Sequence, residues 1–166
     1  MICRSMETAP PKRCLPPRLT RTSEFRRLKR AGKRHRHGFL LMFVQTASRP
    51  KPRSPANESP GYKTAGRVGF TVPERVIKKA VKRNRVRRLL KEAVRLWWSD
   101  ILPGRDLLLV VNGTPRHDHA WFVEGLFLEL LLRAELLTPE GRKRAKDRLG
   151  SLPPELGFSA QQGDEE

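Results

Sequence analysis

Hydrophobic and polar residues follow one another along this chain with two different spacings. Three short runs are almost wholly apolar or alternate with polar positions, which is typical of β-strands. Four longer stretches repeat apolar residues every three or four positions, as amphipathic helices do. The pattern therefore predicts strands near residues 39–47, 67–72 and 105–113, and helices near residues 22–31, 76–99, 119–137 and 139–150.

Residues that commonly begin and end helices support four of these boundaries. Thr22 or Ser23 is placed to cap the first helix, and Gly32 is placed to end it. Asp118 is placed to cap the third helix. Residues 138–140, Thr-Pro-Glu, supply an N-cap followed by proline in the first turn. A short basic helix is therefore expected to start there.

Few strands and several helices around one sheet indicate an α+β fold, a small two-layer sandwich with a central sheet. Residues 1–18 are rich in proline and are expected to form a disordered lead. Residues 47–66 are rich in Pro, Ser, Lys and Gly, which predicts a flexible insert within a domain formed by residues 19–137. Residues 138–166 comprise the short basic helix and an acidic tail.

The charge of the chain narrows the choice of partner. Lys and Arg number 35 against 17 Asp and Glu, which gives a formal net charge of +18 and a pI of about 11.3. Such a charge opposes compaction unless a polyanion neutralises it, so nucleic acid is the leading partner and an anionic membrane surface the second. The most apolar run is interpreted as a core helix rather than a membrane span, because charged residues interrupt it: Glu124, Glu129, Arg133 and Glu135.

Residue types that carry chemistry are few. Cys3 and Cys14 both lie in the proline-rich lead and indicate neither a disulfide scaffold nor a redox pair, so a reducing cytoplasm is the expected location. Two His-x-His pairs, at residues 35–37 and 117–119, lack the spacing of a closed zinc site, and no metal site is predicted. No carboxylate pair and no nucleophile beside a base is visible, so no catalytic residue is predicted on the protein.

The predicted helix over residues 76–99 combines a hydrophobic face with dense positive charge. Val86 and Trp97 share one face in its second half, while Val76 and Ile77 lie on the other side in its first half. The apolar contact is therefore expected to change sides near the middle, leaving a waist at residues 83–85 exposed. The candidate phosphate-binding surface comprises Lys79, Lys82, Arg83, Asn84, Arg85, Arg87, Arg88 and Lys91.

A second basic region, residues 18–36, precedes the first predicted strand. Phe39, Leu41 and Phe43 alternate along that strand. Aromatic side chains beside basic residues on a sheet can stack and hold single-stranded RNA. Alternating apolar residues more often face a core, so both interpretations of Phe43 stay open at this point.

Taken together, these segments resemble the bacterial ribonuclease P protein component. The resemblance rests on "RVGFTV" followed by "KKAVKRNRVRRLLKEAVR", in which Arg83-Asn84-Arg85 is the signature. "LTRTSEFRRLKRAG" upstream and "GRDLLLVV" downstream fall in the expected places, so the resemblance covers roughly residues 19–137. It implies a fold similar to the second domain of ribosomal protein S5, with the long basic helix in a left-handed crossover.

The resemblance also implies a function. Members of the family bind the catalytic RNA of ribonuclease P and the 5′ leader of precursor tRNA, and the RNA, with Mg²⁺, performs the hydrolysis. No protein partner is implied. The residues that match the family's RNA-contacting helix are Arg83, Asn84, Arg85, Arg87 and Arg88. The expected leader cleft comprises the two matching aromatics, with three basic residues placed to line it: Phe25, Phe43, Arg26, Lys29 and Arg75.

Two departures from the family's pattern fall in this cleft. Pro73-Glu74-Arg75 stands where the family usually has Ser-Lys-Lys, and Lys29 replaces a second aromatic one turn after Phe25. The lead, the insert and the last helix are not explained by the resemblance. The alternative function is a ribosomal-protein-like RNA-binding protein with no role in cleavage, and a tRNA-processing assay with added catalytic RNA would separate the two.

Overall fold

The computed structural model describes residues 16–46, 66–115 and 119–153. Its helices are α1 (Thr22–Ala31), α2 (Ala80–Trp97), α3 (Ala120–Arg133) and α4 (Pro139–Gly150). Its strands are β1 (Lys33–His37), β2 (Leu40–Thr46), β3 (Val68–Thr71) and β4 (Arg105–Val111). A short 3-10 turn, Trp98–Asp100, follows α2.

The four strands form one mixed sheet in the order β1-β2-β4-β3. β1 pairs antiparallel with β2, β2 pairs antiparallel with β4, and β3 pairs parallel with β4. Because β3 and β4 are parallel, α2 crosses from one end of the sheet to the other between them. The predicted α+β sandwich is confirmed, while the handedness of this crossover stays a prediction from the family resemblance.

Alternation along β2 divides the molecule into two layers. Leu40, Met42 and Val44 point into the main core, which α2 and α3 cover. Phe43 points to the opposite face, where α1 packs against β2 and β4. The sheet therefore separates α1 from the other helices, and each face carries its own hydrophobic cluster.

Strand β1 was not predicted, because it contains no apolar residue. Its sequence is Lys-Arg-His-Arg-His, and it pairs with β2 in a hairpin that turns at Gly38, whose φ is +53°. Its pairing with the apolar strand β2, rather than its own composition, makes it a strand. On the core side His37 Nε2 lies 2.7 Å from Glu129 Oε2 of α3, which fixes the end of this edge strand to the helix layer.

Helix α2 begins at Ala80 rather than at residue 76, so the predicted change of apolar face is wrong. Residues 74–76 form a turn, and Ile77, which lies in the loop after this turn, is buried. Val81 is 82% exposed, so the first turn of the helix makes no core contact through it. The buried residues of α2 all lie on one face: Val86, Leu90, Ala93, Val94 and Trp97.

Helix α3 ends at Arg133, a turn earlier than predicted, and Glu135 follows in the left-handed region with φ 51°. The predicted cap, Asp118, lies outside the described residues. Two of the acidic residues that interrupt the apolar run, Glu124 and Glu129, are buried and paired, whereas Glu135 is exposed. Trp97 Nε1 donates to Glu124 Oε1 at 3.0 Å, and Arg148 Nη2 donates to Glu124 Oε2 at 3.0 Å.

Helix α4 has the predicted boundaries and start. The Thr138 hydroxyl oxygen accepts a hydrogen bond from the Gly141 amide at 3.1 Å, with Pro139 in the first turn. Arg144 Nη1 donates to both Asp100 oxygens, at 3.0 and 2.8 Å, and its guanidinium lies 5.1 Å from the Trp97 ring centre. These contacts fix α4 to the ends of α2 and α3.

Much of the predicted lead and insert lies outside the described residues. Residues 17–19, however, run beside β3: the Leu19 amide donates to the Val68 carbonyl and the Val68 amide to the Pro17 carbonyl, both at 2.9 Å. The expectation that the disordered lead reaches residue 18 is therefore wrong for its last residues. Within the described part, no helix is long and apolar enough to cross a membrane, and no group of three or more His, Cys, Asp or Glu could hold a metal ion.

Candidate nucleic-acid interface

The outward face of α2 carries most of the predicted phosphate-binding residues. Five of the eight are exposed: Lys79, Lys82, Asn84, Arg85 and Arg88. The other three are half-buried at the flanks of the helix: Arg83, Arg87 and Lys91. The structure therefore brings all eight predicted residues to one helix and its N-cap, as the sequence indicated.

Arg83 is not a freely exposed residue of the waist. Its Nη1 donates to the carbonyl of Ile77 at 3.1 Å and to that of Lys78 at 2.7 Å, and it lies 3.8 Å from Glu74. The side chain is 21% exposed. Arg83 thus holds the loop that leads from β3 into α2, and the expectation of an exposed waist is wrong for this residue. Asn84 and Arg85 are exposed as expected.

The first turn of α2 is electrostatically unfavourable for an isolated helix. It contains no acidic residue, and the N-cap, Lys79, makes no side-chain capping bond. Cations near a helix N-terminus oppose the helix dipole, whereas an anion there is stabilised by the unpaired amides. Lys79 and Lys82 therefore stand where a bound phosphate would offset both effects.

The second candidate surface lies on the other face of the sheet, beside α1. Phe43 pairs with Leu108 of β4, which pairs with Gly69 of β3, so these three residues form one row across the strands. Strands lie about 4.8 Å apart, which places Phe43 roughly 10 Å from Gly69. Phe25 of α1 lies directly over Gly69, so the two predicted aromatics flank Leu108 on the same face.

Gly69 makes this arrangement possible. A Cβ at this position would lie 3.0 Å from Phe25 Cε1 and 3.1 Å from Leu19 Cδ1. A larger residue here would force the ring to shift by a few tenths of an ångström, so glycine lets the ring rest closely on the backbone of β3. Sequence reasoning missed Gly69, although a glycine inside a predicted strand is the usual sign of such a close approach.

Two arginines of β1 belong to the same surface and were also missed. Arg34 pairs with Phe43, and Arg36 pairs with Leu41, so both point to the face that carries Phe43. Both arginines are exposed. Had β1 been recognised as a strand, alternation alone would have placed them beside Phe43.

The three basic residues predicted to line the cleft are exposed: Arg26 and Lys29 on α1, and Arg75 in the turn after β3. That turn closes when the Val76 and Ile77 amides donate to the Pro73 carbonyl, at 3.1 and 3.2 Å. Within the described residues no hydrogen bond or ion pair joins Arg26, Lys29 or Arg75 to either aromatic. Their membership of the cleft stays a prediction.

Arg67 fixes α1 to the sheet at the end of this cleft. Its Nη2 donates to Asp106 Oδ2 at 2.7 Å, its Nε to Asp106 Oδ1 at 3.3 Å, and its Nη1 to Glu24 Oε1 at 2.5 Å. The hydrogen bond to Asp106 is the main reason that the pKa of Arg67 is raised. Asp106 is only 1% exposed, so its contact with Arg67 is a buried link that helps to position α1.

The comparisons with known proteins agree with this geometry. The sequence model of the family described as Ribonuclease P matches residues 16–130. A ribonuclease P protein component from Chloroflexus aggregans is 33% identical over 139 residues, which are 82% of this chain and 91% of that protein. One from Roseiflexus is 30% identical over 121 residues, 72% of this chain and 87% of that protein.

Solved structures show the same fold. A ribonuclease P protein from Staphylococcus aureus superposes with a TM-score of 0.58 at 15% identity, over 73% of this chain and 97% of that one. The protein from Thermotoga maritima gives a TM-score of 0.54 at 20% identity, over 70% and 96% of the two chains. Because the family match spans most of the chain and includes both candidate surfaces, the chain belongs to the ribonuclease P protein family, as an RNA-binding component of a tRNA-processing ribonucleoprotein.

Proposed function

We propose that this protein binds the catalytic RNA of ribonuclease P through the outward face of α2, and the 5′ leader of precursor tRNA through the cleft between α1 and the sheet. In this proposal the RNA component performs the hydrolysis with Mg²⁺, in the cytoplasm. The protein supplies binding surfaces and no catalytic group.

The observation that carries the proposal is the placement of two RNA-suited surfaces on opposite sides of one sheet. The cations of α2 lie in the layer that covers the main core, and Phe43 lies on the other face with Arg34 and Arg36. A sheet separates these surfaces completely, so two RNA strands can be bound without competing for the same side chains.

The two surfaces suit different parts of an RNA. The α2 surface is almost wholly cationic, which suits the phosphates of a folded RNA, since phosphate contacts give affinity without reading sequence. The cleft joins a half-buried aromatic ring to exposed arginines, which suits a single strand whose bases can stack. A leader is such a strand, because it lies outside the folded tRNA.

The experiment compares Phe43→Leu with the wild type in the reconstituted holoenzyme. Leucine keeps most of the packing against the hydrophobic cluster that contains Leu28 and Leu108, but it removes the ring on which a base can stack. A stacked base contributes about 1–3 kcal/mol, so we expect roughly 5- to 150-fold weaker binding of precursor tRNA that carries a leader. Binding of mature tRNA and the melting temperature of the isolated protein should change little.

The matched variant Arg88→Gln tests the other surface. It should weaken binding of the protein to the catalytic RNA and leave discrimination between precursor and mature tRNA unchanged. If Phe43→Leu weakens binding of both tRNAs equally, the cleft does not hold the leader. If the wild-type protein fails to stimulate cleavage by the catalytic RNA, the alternative of an RNA-binding protein with no role in cleavage is correct.

A further inference from the structure

Arg18 lies at the open edge of the sheet, in a segment that the resemblance left without a role. It forms a parallel bridge with Val68, the first residue of β3. The bridge is held from both sides, because the Val68 amide donates to the Pro17 carbonyl and the Leu19 amide donates to the Val68 carbonyl. Two 2.9 Å hydrogen bonds therefore fix the backbone position of Arg18.

The bridge also decides to which side the Arg18 side chain points. Residues paired across neighbouring strands point to the same face of a sheet. Val68 is fully buried in the main core beneath α2, while Leu19 packs on the opposite face, in the hydrophobic cluster that Phe25 also contacts. Arg18 therefore projects on the α2 side of the sheet, beyond its edge, and remains exposed.

Arg87, Arg88 and Lys91 lie within about one turn of one another on α2. Lys91 is half-buried, and its pKa is lowered, first by burial and then by the positive charges of Arg18, Arg87 and Arg88. Arg18 thus lies within electrostatic reach of the helix, although 69 positions separate it from Arg87 in sequence. Four cations from two distant segments therefore lie on the same side of the sheet, close enough for the other three to act on Lys91.

No carboxylate neutralises this group among the described residues. Arg87 Nη1 donates to the side-chain oxygen of Asn84 at 3.2 Å, and none of the four cations forms an ion pair there. Other arginines of the described chain do have acidic partners: Arg67, Arg83, Arg95, Arg133, Arg144 and Arg148. A cluster of like charges without acids destabilises the free protein, and an anion would remove that cost.

We propose that Arg18, Arg87, Arg88 and Lys91 form one binding site for a backbone phosphate of the catalytic RNA, with Arg18 as the contribution of the N-terminal segment. This inference rests on the proposed function of α2 and adds a residue outside that helix. Arginine forks bind phosphate oxygens in pairs, and lysine adds a point charge. The catalytic RNA is the partner, because Arg18 points to the α2 side and the leader cleft lies behind the sheet.

The first experiment measures binding of the full chain to the catalytic RNA, without tRNA, at several salt concentrations. Arg18→Gln should weaken binding and flatten the plot of log affinity against log salt by about 0.7–0.9 for one lost phosphate contact. The control is Arg27→Gln, which removes the same charge from an exposed position of α1 on the other side of the sheet. Equal losses in the two variants would mean a general charge effect and would overturn the site.

A double-mutant cycle with Lys91→Gln tests whether one phosphate is shared. Groups that hold the same ligand atom are not additive, so the double variant should lose less than the product of the two single losses. Independent effects would place Arg18 on a different phosphate and overturn the shared site. If Lys91→Gln and Arg88→Gln both leave binding unchanged, the proposed role of α2 fails. If those two variants weaken binding but Arg18→Gln leaves it unchanged, only the inference about Arg18 fails.

A readout without RNA keeps the inference testable independently of holoenzyme assembly. NMR titration of the Lys91 side chain in the free protein should show a higher pKa in Arg18→Gln than in the wild type, because one neighbouring positive charge is removed. An unchanged Lys91 pKa would show that Arg18 does not reach the helix, and the cluster would not exist.

Discussion

Replacing Arg67 by methionine tests the interaction that attaches α1 to the sheet. The side chain donates two hydrogen bonds to Asp106 and one to Glu24, so a single substitution removes every side-chain contact between these three charges. Methionine retains much of the apolar volume. Among the described residues, the carboxylate of Asp106, which is 1% exposed, then keeps one hydrogen bond, from the amide of residue 67.

The expected loss of stability depends on which carboxylate remains without its arginine partner. Removing one member of a buried ion pair costs about 3–5 kcal/mol, because the remaining charge stays desolvated without compensation. Glu24 is 20% exposed on its side chain and can regain water, so it adds little to that cost. For a folded domain of this size each kcal/mol shifts Tm by about 3–5 °C, so Arg67→Met should lower Tm by roughly 10–20 °C.

Urea unfolding of the RNA-free protein, followed by circular dichroism, measures the loss directly, since bound RNA would stabilise the folded state by mass action. Arg95→Gln is the control, because it breaks an exposed pair with Glu92 on α2 and should change stability far less. The double variant Arg67→Met with Asp106→Leu should recover most of the loss, since an apolar pair can replace a buried ion pair. A loss no larger than that of the control would refute the reasoning.

Two further predictions concern acid stability and the insert. Burial raises the pKa of Glu24, but hydrogen bonds from Arg67 and the Arg21 amide lower it more, so the pKa lies below its ordinary 4.5. The ionised Glu24 carboxylate therefore stabilises the fold above pH 4.5, and this contribution is lost as the pH falls through the lower pKa of the folded state. Urea midpoints between pH 7 and 3 should fall less steeply on the acid side in Glu24→Gln, and parallel curves would contradict this. Deleting residues 49–64 should leave Tm nearly unchanged. Thr46 pairs with Arg105 and Gly66 packs on the Arg105 carbonyl, so the two ends of the insert lie about 10 Å apart across β4. The three residues that remain after the deletion are long enough to span this distance. A large drop in Tm on differential scanning would show that the insert packs on the domain.

Sequence patterns predicted the fold wherever local chemistry and tertiary packing agree. Thr138 followed by proline predicted the start of α4, because helix caps prefer these residue types. The apolar run after Gly104 predicted β4, because a strand that is buried on both faces is apolar at nearly every position. The start of α2 was misplaced, because Val76 and Ile77 are apolar for a different reason: they anchor the loop rather than the helix.

The parts of the site that sequence could not give are those that depend on pairing. β1 consists only of Lys, Arg and His, and it becomes a strand through β2, so Arg34 and Arg36 could not be placed beside Phe43. Arg18 and Arg67 act through partners far away in sequence, which no periodicity reports. The family signature found the cations of α2, yet the bonds of Arg83 to the Ile77 and Lys78 carbonyls depend on the path of the loop before the helix, which has no periodic pattern.

The composition of β1 also affects how copies of this protein meet. Edge strands invite pairing with other chains, and rows of charged side chains oppose it. Three of the five residues of β1 are Lys or Arg, so two copies that approach along this edge repel each other. That repulsion is electrostatic and weakens when the screening length falls from about 8 Å at physiological ionic strength to about 3 Å in 1 M salt. High salt, the usual means of removing bound nucleic acid from a basic protein, therefore also removes this protection against edge-to-edge association.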